Sequence, residues 1–220
     1  MEQKEIYWNI KDLYNYENFY NSGIFECANF PRTYELVKNL SYNTQYLEYL
    51  YKTLSKSLHV TIQTETIKTY VLTGMSIIES ILYYAIKSNN LQKVNEFEEI
   101  IRLDSNIKKI KDSQIKVETV ILKKLPYPKE KEMNLSFMLQ KTESRKLLGN
   151  DLEVYKKLNF LRKLRNKIHL YLFVENLDHD YNNFNTREYD LMRSSLKVVL
   201  FSELFKMPSE NREHIFDFIL

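Results

Sequence analysis

ETIKTYVLTGMSIIESILYYAIKS, residues 65–88, is the stretch on which the fold turns. A helix advances about 100° per residue, which gathers Ile67, Val71, Gly74, Ile78, Ile81, Leu82 and Ala85 into one broad apolar arc. Thr69, Thr73, Ser76, Glu79, Ser80 and Tyr83 form a polar stripe on the other side. Such a helix must bury its arc against other elements. Gly74, with no side chain on the apolar side, lets another helix come close.

The surrounding chain agrees with a mainly α fold. Only 3 glycines and 4 prolines in 220 residues leave few tight turns, and Leu, Ile, Lys, Glu and Tyr recur at helical spacing. Helices are expected near residues 5–20, 33–57, 65–88, 91–103, 134–148, 152–174, 186–206 and 210–219. Thr186, Ser209 after Pro208, and Asn150 or Asp151 supply start signals, while Gly149 is expected to close helix 134–148. IKVETVILKKL, residues 115–125, departs from the helical pattern. Its β-branched content and partial alternation predict a short strand or β-hairpin arm, ended by the PYP at 126–128. With 44% hydrophobic residues and no Pro/Gly/Ser-rich linker, one domain over 1–220 is expected, residues 1–60 forming an N-terminal helical extension.

LRKLRNKIHLYLF, residues 161–173, sets Arg162, Arg165 and His169 where a helix normally buries hydrocarbon. Measured from Leu158 on a continuous helix, they point to roughly 40°, 340° and 20°, beside Leu161, Ile168 and Leu172 at roughly 300°, 280° and 320°. Lys156, Lys163 and Lys167 cluster near roughly 160° and mark the water-facing side. No acid on the neighbouring turns pairs with the trio. Two readings stand: an anion site, or cations that pair acids from elsewhere in the fold. Glu79 can orient His169 or bind a guanidinium, or be an ordinary solvated carboxylate of an amphipathic helix.

The string LRKLRNKIH resembles the signature of the HEPN superfamily (higher eukaryotes and prokaryotes nucleotide-binding domain), in which an Arg is followed after four to six residues by a His. Arg162 and His169 have six residues between them; Arg165 carries the polar follower Asn166 but has only three residues between it and His169. HLY, ending at Tyr171, is similar to the His-x-Tyr extension of HEPN toxins whose nucleotidyltransferase antitoxins modify that Tyr, and helix 73–86 resembles the family's other central helix. The resemblance implies a HEPN-like helical bundle with additional helices. It also implies a metal-independent endoribonuclease, without a cofactor, that works as a homodimer in toxin–antitoxin or phage-defence systems. Arg162, Arg165, Asn166, His169 and Glu79 are then the candidate catalytic residues and Tyr171 the candidate modification site. The alternatives are a HEPN-like module that binds RNA or a nucleotide without cutting it, and a structural helical partner subunit.

Several classes are excluded or weakened. No GxGxxG or GxxxxGKS/T occurs, so neither dinucleotide nor P-loop binding is suggested. Cys27 stands alone and excludes an intrachain disulfide and a Cys-based zinc knuckle; a buried thiol is expected. No run of about 18 apolar residues appears, and MEQKEIYWNIKDLYNY has no apolar core of signal-peptide length, so a cytosolic protein without a membrane partner is expected. A net charge of +3 is too mild to establish nucleic-acid binding. The lysine-rich stretch 107–131, with Lys108, Lys109, Lys123 and Lys124, is a candidate RNA-phosphate contact or simply a solvated surface. ENLDHDYNNFNTREY reads as a loop pinned by Tyr181 and Phe184; Asp178, His179 and Asp180 are not taken as a metal cluster, and His59 and His214 receive no role. The aromatic start, including Tyr14, Tyr16, Phe19 and Tyr20, is read as core or interface packing, with base stacking the alternative.

Overall fold

A computed structural model describes residues 10–104, 106–110, 112–169 and 178–220. The described chain is mainly helical and divides into two compact units, one holding the chain up to 91 and from 134 onward, the other holding 92–133.

The first unit contains α1 (Leu13–Asn21), α2 (Thr33–Leu54), α3 (Val60–Ser88), α4 (Leu135–Ser144), α5 (Leu152–Arg165), α6 (Asp180–Asn183), α7 (Thr186–Leu200) and α8 (Ser209–Ile215). Helix α3 touches α2, α4, α5, α6 and α7. Its arc is buried as the periodicity requires: Val71, Met75, Ile78, Ile81 and Leu82 have no exposed surface. Gly74 is the point of closest approach, since a Cβ there would stand 2.9 Å from Cε and 3.0 Å from Sδ of Met192 on α7. Helix α3 starts five residues before the expected position, where the His59 side chain accepts the Thr61 N–H. Among the described helices α3 alone is long and apolar enough to cross a membrane, yet 61% of that window is buried, the pattern of a core helix.

Tyr16, Phe19 and Tyr20 of α1 are fully buried, with Phe19 4.4 Å from Phe205 and 4.6 Å from Phe216, while Tyr14 is exposed. Cys27, expected to be buried, is only half-buried. Helix α7 is capped by Asn185 rather than Thr186, in a reciprocal box with Glu188. Helix α4 ends at Ser144, before Gly149. Lys146 takes φ 53°, and the Leu147 N–H reaches back to the Thr142 carbonyl at 3.0 Å, satisfying the last turn.

The second unit corrects the expectation of a helix near 91–103. Strand β1 (Val94–Asp104) pairs antiparallel with β4 (Glu118–Glu130), and β2 (Lys108–Ile110) pairs with β3 (Ser113–Ile115). The helix-forming Glu and Leu of β1 yield to pairing with the β-branched partner 118–122, a non-local interaction that overrides local propensity. The hairpin is also longer than the strand expected at 115–125. Pro126 and Pro128, expected to end it, fall instead in the irregular stretch between Lys124 and Lys129, where missing N–H groups cost the ladder nothing.

Gly74→Val should lower stability by about 1–3 kcal/mol through overpacking against Met192, with part of the loss recovered by adding Met192→Ala; urea midpoints test this. Alkaline unfolding should be cooperative. Burial raises the hydroxyls of Tyr16, Tyr20 and Tyr70 above their ordinary range, and Tyr189 is pushed up to about 12 by burial first, with Tyr51 adding and Arg193 opposing. Folding thus favours the neutral phenols. Their stabilisation is intact below pH of about 10 and is lost as pH rises from there toward about 12. Tyrosinate absorbance and helical circular dichroism should change together.

Candidate functional site

Helix α5 has charges that match its dipole. Asp151 caps it by accepting the Glu153 N–H at 3.0 Å, and Arg162, Lys163 and Arg165 occupy its last turn. Val154, Tyr155, Leu158, Leu161 and Leu164 are buried on its inner face. Tyr155 fixes its start against α4, donating to the Thr142 carbonyl at 3.2 Å and accepting the Leu148 N–H at 3.3 Å.

The two arginines flank this inner face, both half-buried. Arg165 Nη2 lies 2.9 Å from Glu79 Oε2, which places the polar stripe of α3 against the end of α5 through a charge-assisted contact. The side chains are 37% and 26% exposed, so water screens the pair only in part. Of the three options for Glu79, the structure shows the guanidinium contact. One turn back, Arg162 has its Nε buried with no hydrogen-bond partner among the described residues.

The expected helix over 152–174 stops at Arg165. Asn166 is its exposed C-cap, and the chain tightens into a 3-10 turn over Asn166–Ile168 before His169 turns extended at φ −82°, ψ 104°. The single stripe therefore holds for Arg162 and Arg165 but not for His169, which is exposed and beyond the helix. Ile168, expected on the apolar face, is 52% exposed for the same reason. Tyr171 and Leu172 lie outside the described residues.

Lys167 accounts for the change of direction. Expected on the water-facing side, it instead donates to Asp178 Oδ1 at 2.5 Å and Asn183 Oδ1 at 2.9 Å; the Asp178 side chain is only 3% exposed. Asn183 Nδ2 also donates to Asp178 Oδ1, at 2.6 Å. Beside this clamp, Lys68 of α3 donates to Asp180 Oδ2 at 2.7 Å and lies over the ring of Phe184. Each of the two acids is thus engaged by a lysine, and the expected loop contains the short helix α6. Phe184 pins it, fully buried, whereas Tyr181 is exposed. These lysines were missed in the sequence. Lys68 shares its bearing on the α3 wheel with buried Met75 and Ile86, a position at which a cation calls for an acid.

In the second unit Lys123 lies opposite Glu98 and Lys124 opposite Phe97, while Lys108 and Lys109 lie opposite Ile115 and Gln114. All four lysines are exposed. The acids of β1, read in sequence as part of a helix, share the ribbon with the lysine-rich stretch and offset its positive charge.

No family model, curated protein or solved structure matches the chain. Among the described residues no group of three or more His, Cys, Asp or Glu side chains is arranged to hold a metal ion. The geometry offers two guanidinium groups, one carboxylate and an imidazole on the chain just beyond them, a set suited to binding an oxyanion and moving a proton.

The two electrostatic contacts should differ in weight. Lys167→Met removes a cation from a buried carboxylate and should cost about 2–3 kcal/mol, whereas Arg165→Ala, at a half-exposed pair, should cost under about 1 kcal/mol. Urea unfolding with unchanged slopes checks the order.

Proposed function

We propose that the chain is a metal-independent endoribonuclease of the HEPN type, active in the cytoplasm within a toxin–antitoxin or phage-defence system. The observation that supports this best is the meeting of α3 and the end of α5: Glu79 engages Arg165, and the half-buried Arg162 lies one turn away with its Nε unpartnered among the described residues. His169 follows four residues beyond Arg165 in the resemblance-bearing string.

In this reading the imidazole of His169 takes the proton from an RNA 2′-OH, and the 2′ oxygen bonds to phosphorus. The bond from phosphorus to the 5′ oxygen breaks, and that oxygen receives a proton. The products are a 2′,3′-cyclic phosphate and a 5′-hydroxyl. Arg162 and Arg165 hold the phosphate oxygens as negative charge builds. Asn166, exposed at the helix end, can bind a phosphate oxygen through its amide, and Glu79 is a positioning residue acting through Arg165. One copy supplies one histidine in this string, so an acid and a base together call for a homodimer whose motif helices share a cleft. Lys108, Lys109, Lys123 and Lys124 add sequence-independent attraction for RNA. An antitoxin or nucleotidyltransferase partner restrains the activity, with Tyr171 as its target.

The second reading is a module that binds RNA or a nucleotide without cutting it, favoured by the departure of His169 from the helical stripe. Incubation of the full chain with total RNA in EDTA separates the two. Cleavage leaving cyclic phosphate ends is expected, abolished by His169→Ala and lowered by about 100-fold in Arg162→Ala. Retarded but intact RNA would support the second reading. Neither binding nor cleavage would leave the arginines a structural role.

A further inference from the structure

The long hairpin of β1 and β4 has two unlike faces. Cross-strand partners in an antiparallel pair share a face, so the register sorts the side chains. One face intersperses Phe97, Val120 and Leu122, all exposed, with ion pairs: Arg102 contacts Glu99 at 2.9 Å and Glu118 at 3.4 Å, and Lys116 contacts Asp104 at 3.0 Å. The other carries Ile101 opposite Ile121 and Leu103 opposite Thr119. Ile101, Leu103 and Ile121 are 46%, 54% and 44% exposed. One charged pair, Glu98 opposite Lys123, bounds this apolar face toward the base of the hairpin; Glu98 also lies 3.9 Å from Lys129.

A two-stranded ribbon is marginal in water and gains stability by covering an apolar face. We propose that this face docks on the same face of a second copy, about a two-fold axis running along the length of the arms. Such an axis lays β1 of one copy over β4 of the other, with the sheets about 10 Å apart. Ile101 packs on Ile121 of the partner subunit, and Glu98 meets Lys123 of the partner subunit, twice by symmetry. Charge order selects this arrangement. A two-fold running across the strands would press the Glu98 carboxylate against Leu103 of the partner subunit, desolvating it with only Lys123 and Lys129 of its own chain nearby and no cation from the partner. The proposal concerns the arm alone and is independent of the cleavage reading.

Sedimentation of the full chain at micromolar concentrations tests it, with circular dichroism confirming that each variant keeps its helices. Self-association is expected for the natural chain and should weaken by at least about tenfold when Ile101→Asp and Ile121→Asp are combined. Glu98→Lys and Lys123→Glu should each weaken it alone. An equal mixture of those two single variants should regain it, because each copy then presents the charge its opposite number needs. Charge effects confined within one chain cannot produce that recovery. A natural chain that stays monomeric, association untouched by the paired Asp changes, or a mixture without recovery would each overturn the proposal. Loss of thermal stability without a change in association would place the arm's contacts within its own chain and overturn it as well. Arg162→Ala and His169→Ala should leave the arm's contribution unchanged, so failure of the cleavage reading is distinguishable from failure of this one.

Discussion

Burial of α3 is the constraint on which the helical unit depends. Its apolar arc is too wide for one neighbour to cover, and five other helices touch it. The missing side chain at Gly74 lets α7 settle against it, with Met192 filling the space a Cβ would occupy. Each partner helix then has one face committed to α3, which leaves the polar stripe of α3 as the place where side chains from two helices can meet beside solvent. The contact between Glu79 and Arg165 is formed there.

Charges inside the unit follow a gradient of burial. Glu48 of α2 is fully buried; its Oε2 accepts from the Tyr16 hydroxyl at 2.7 Å and the Lys11 N–H at 3.0 Å, and the Lys52 ammonium forms an ion pair with Oε1 at 2.8 Å. The Lys68–Asp180 and Lys167–Asp178 pairs are mostly buried. The Arg165–Glu79 pair is half in water. Deep carboxylates surrounded by donors stiffen a fold but are closed to ligands. A guanidinium with part of its surface in solvent can exchange one oxyanion for another at modest cost, which distinguishes the end of α5 from these buried carboxylates.

The parts legible in the sequence are those that bury a wide arc through local periodicity. Helices α3 and α5 could be read that way, as could the meeting of Glu79 with a guanidinium, because the positions facing inward are set by a helix's own turn. What could not be read depends on partners distant in sequence. Val94–Asp104 has good helix formers and becomes a strand because 118–130 lies beside it. The string KIHLYLF keeps a helical period, yet α5 stops before it and Lys167 turns toward Asp178, eleven residues on. Cap positions shifted by a residue or more, since Asn185 and Thr186 are both competent and geometry selects between them.

The change from α to 3-10 winding after Arg165 alters what the spacing of the cationic string means. Along an intact helix, inserting or deleting one residue swings every later side chain by about 100°, so distance in sequence is a matter of phase. Where the backbone is extended, as at His169, the same change acts mainly on reach, by at most about 3.3–3.6 Å per residue. The three residues between Arg165 and His169 form a single 3-10 turn, wound at about 120° per residue and fastened midway where Lys167 grips Asp178.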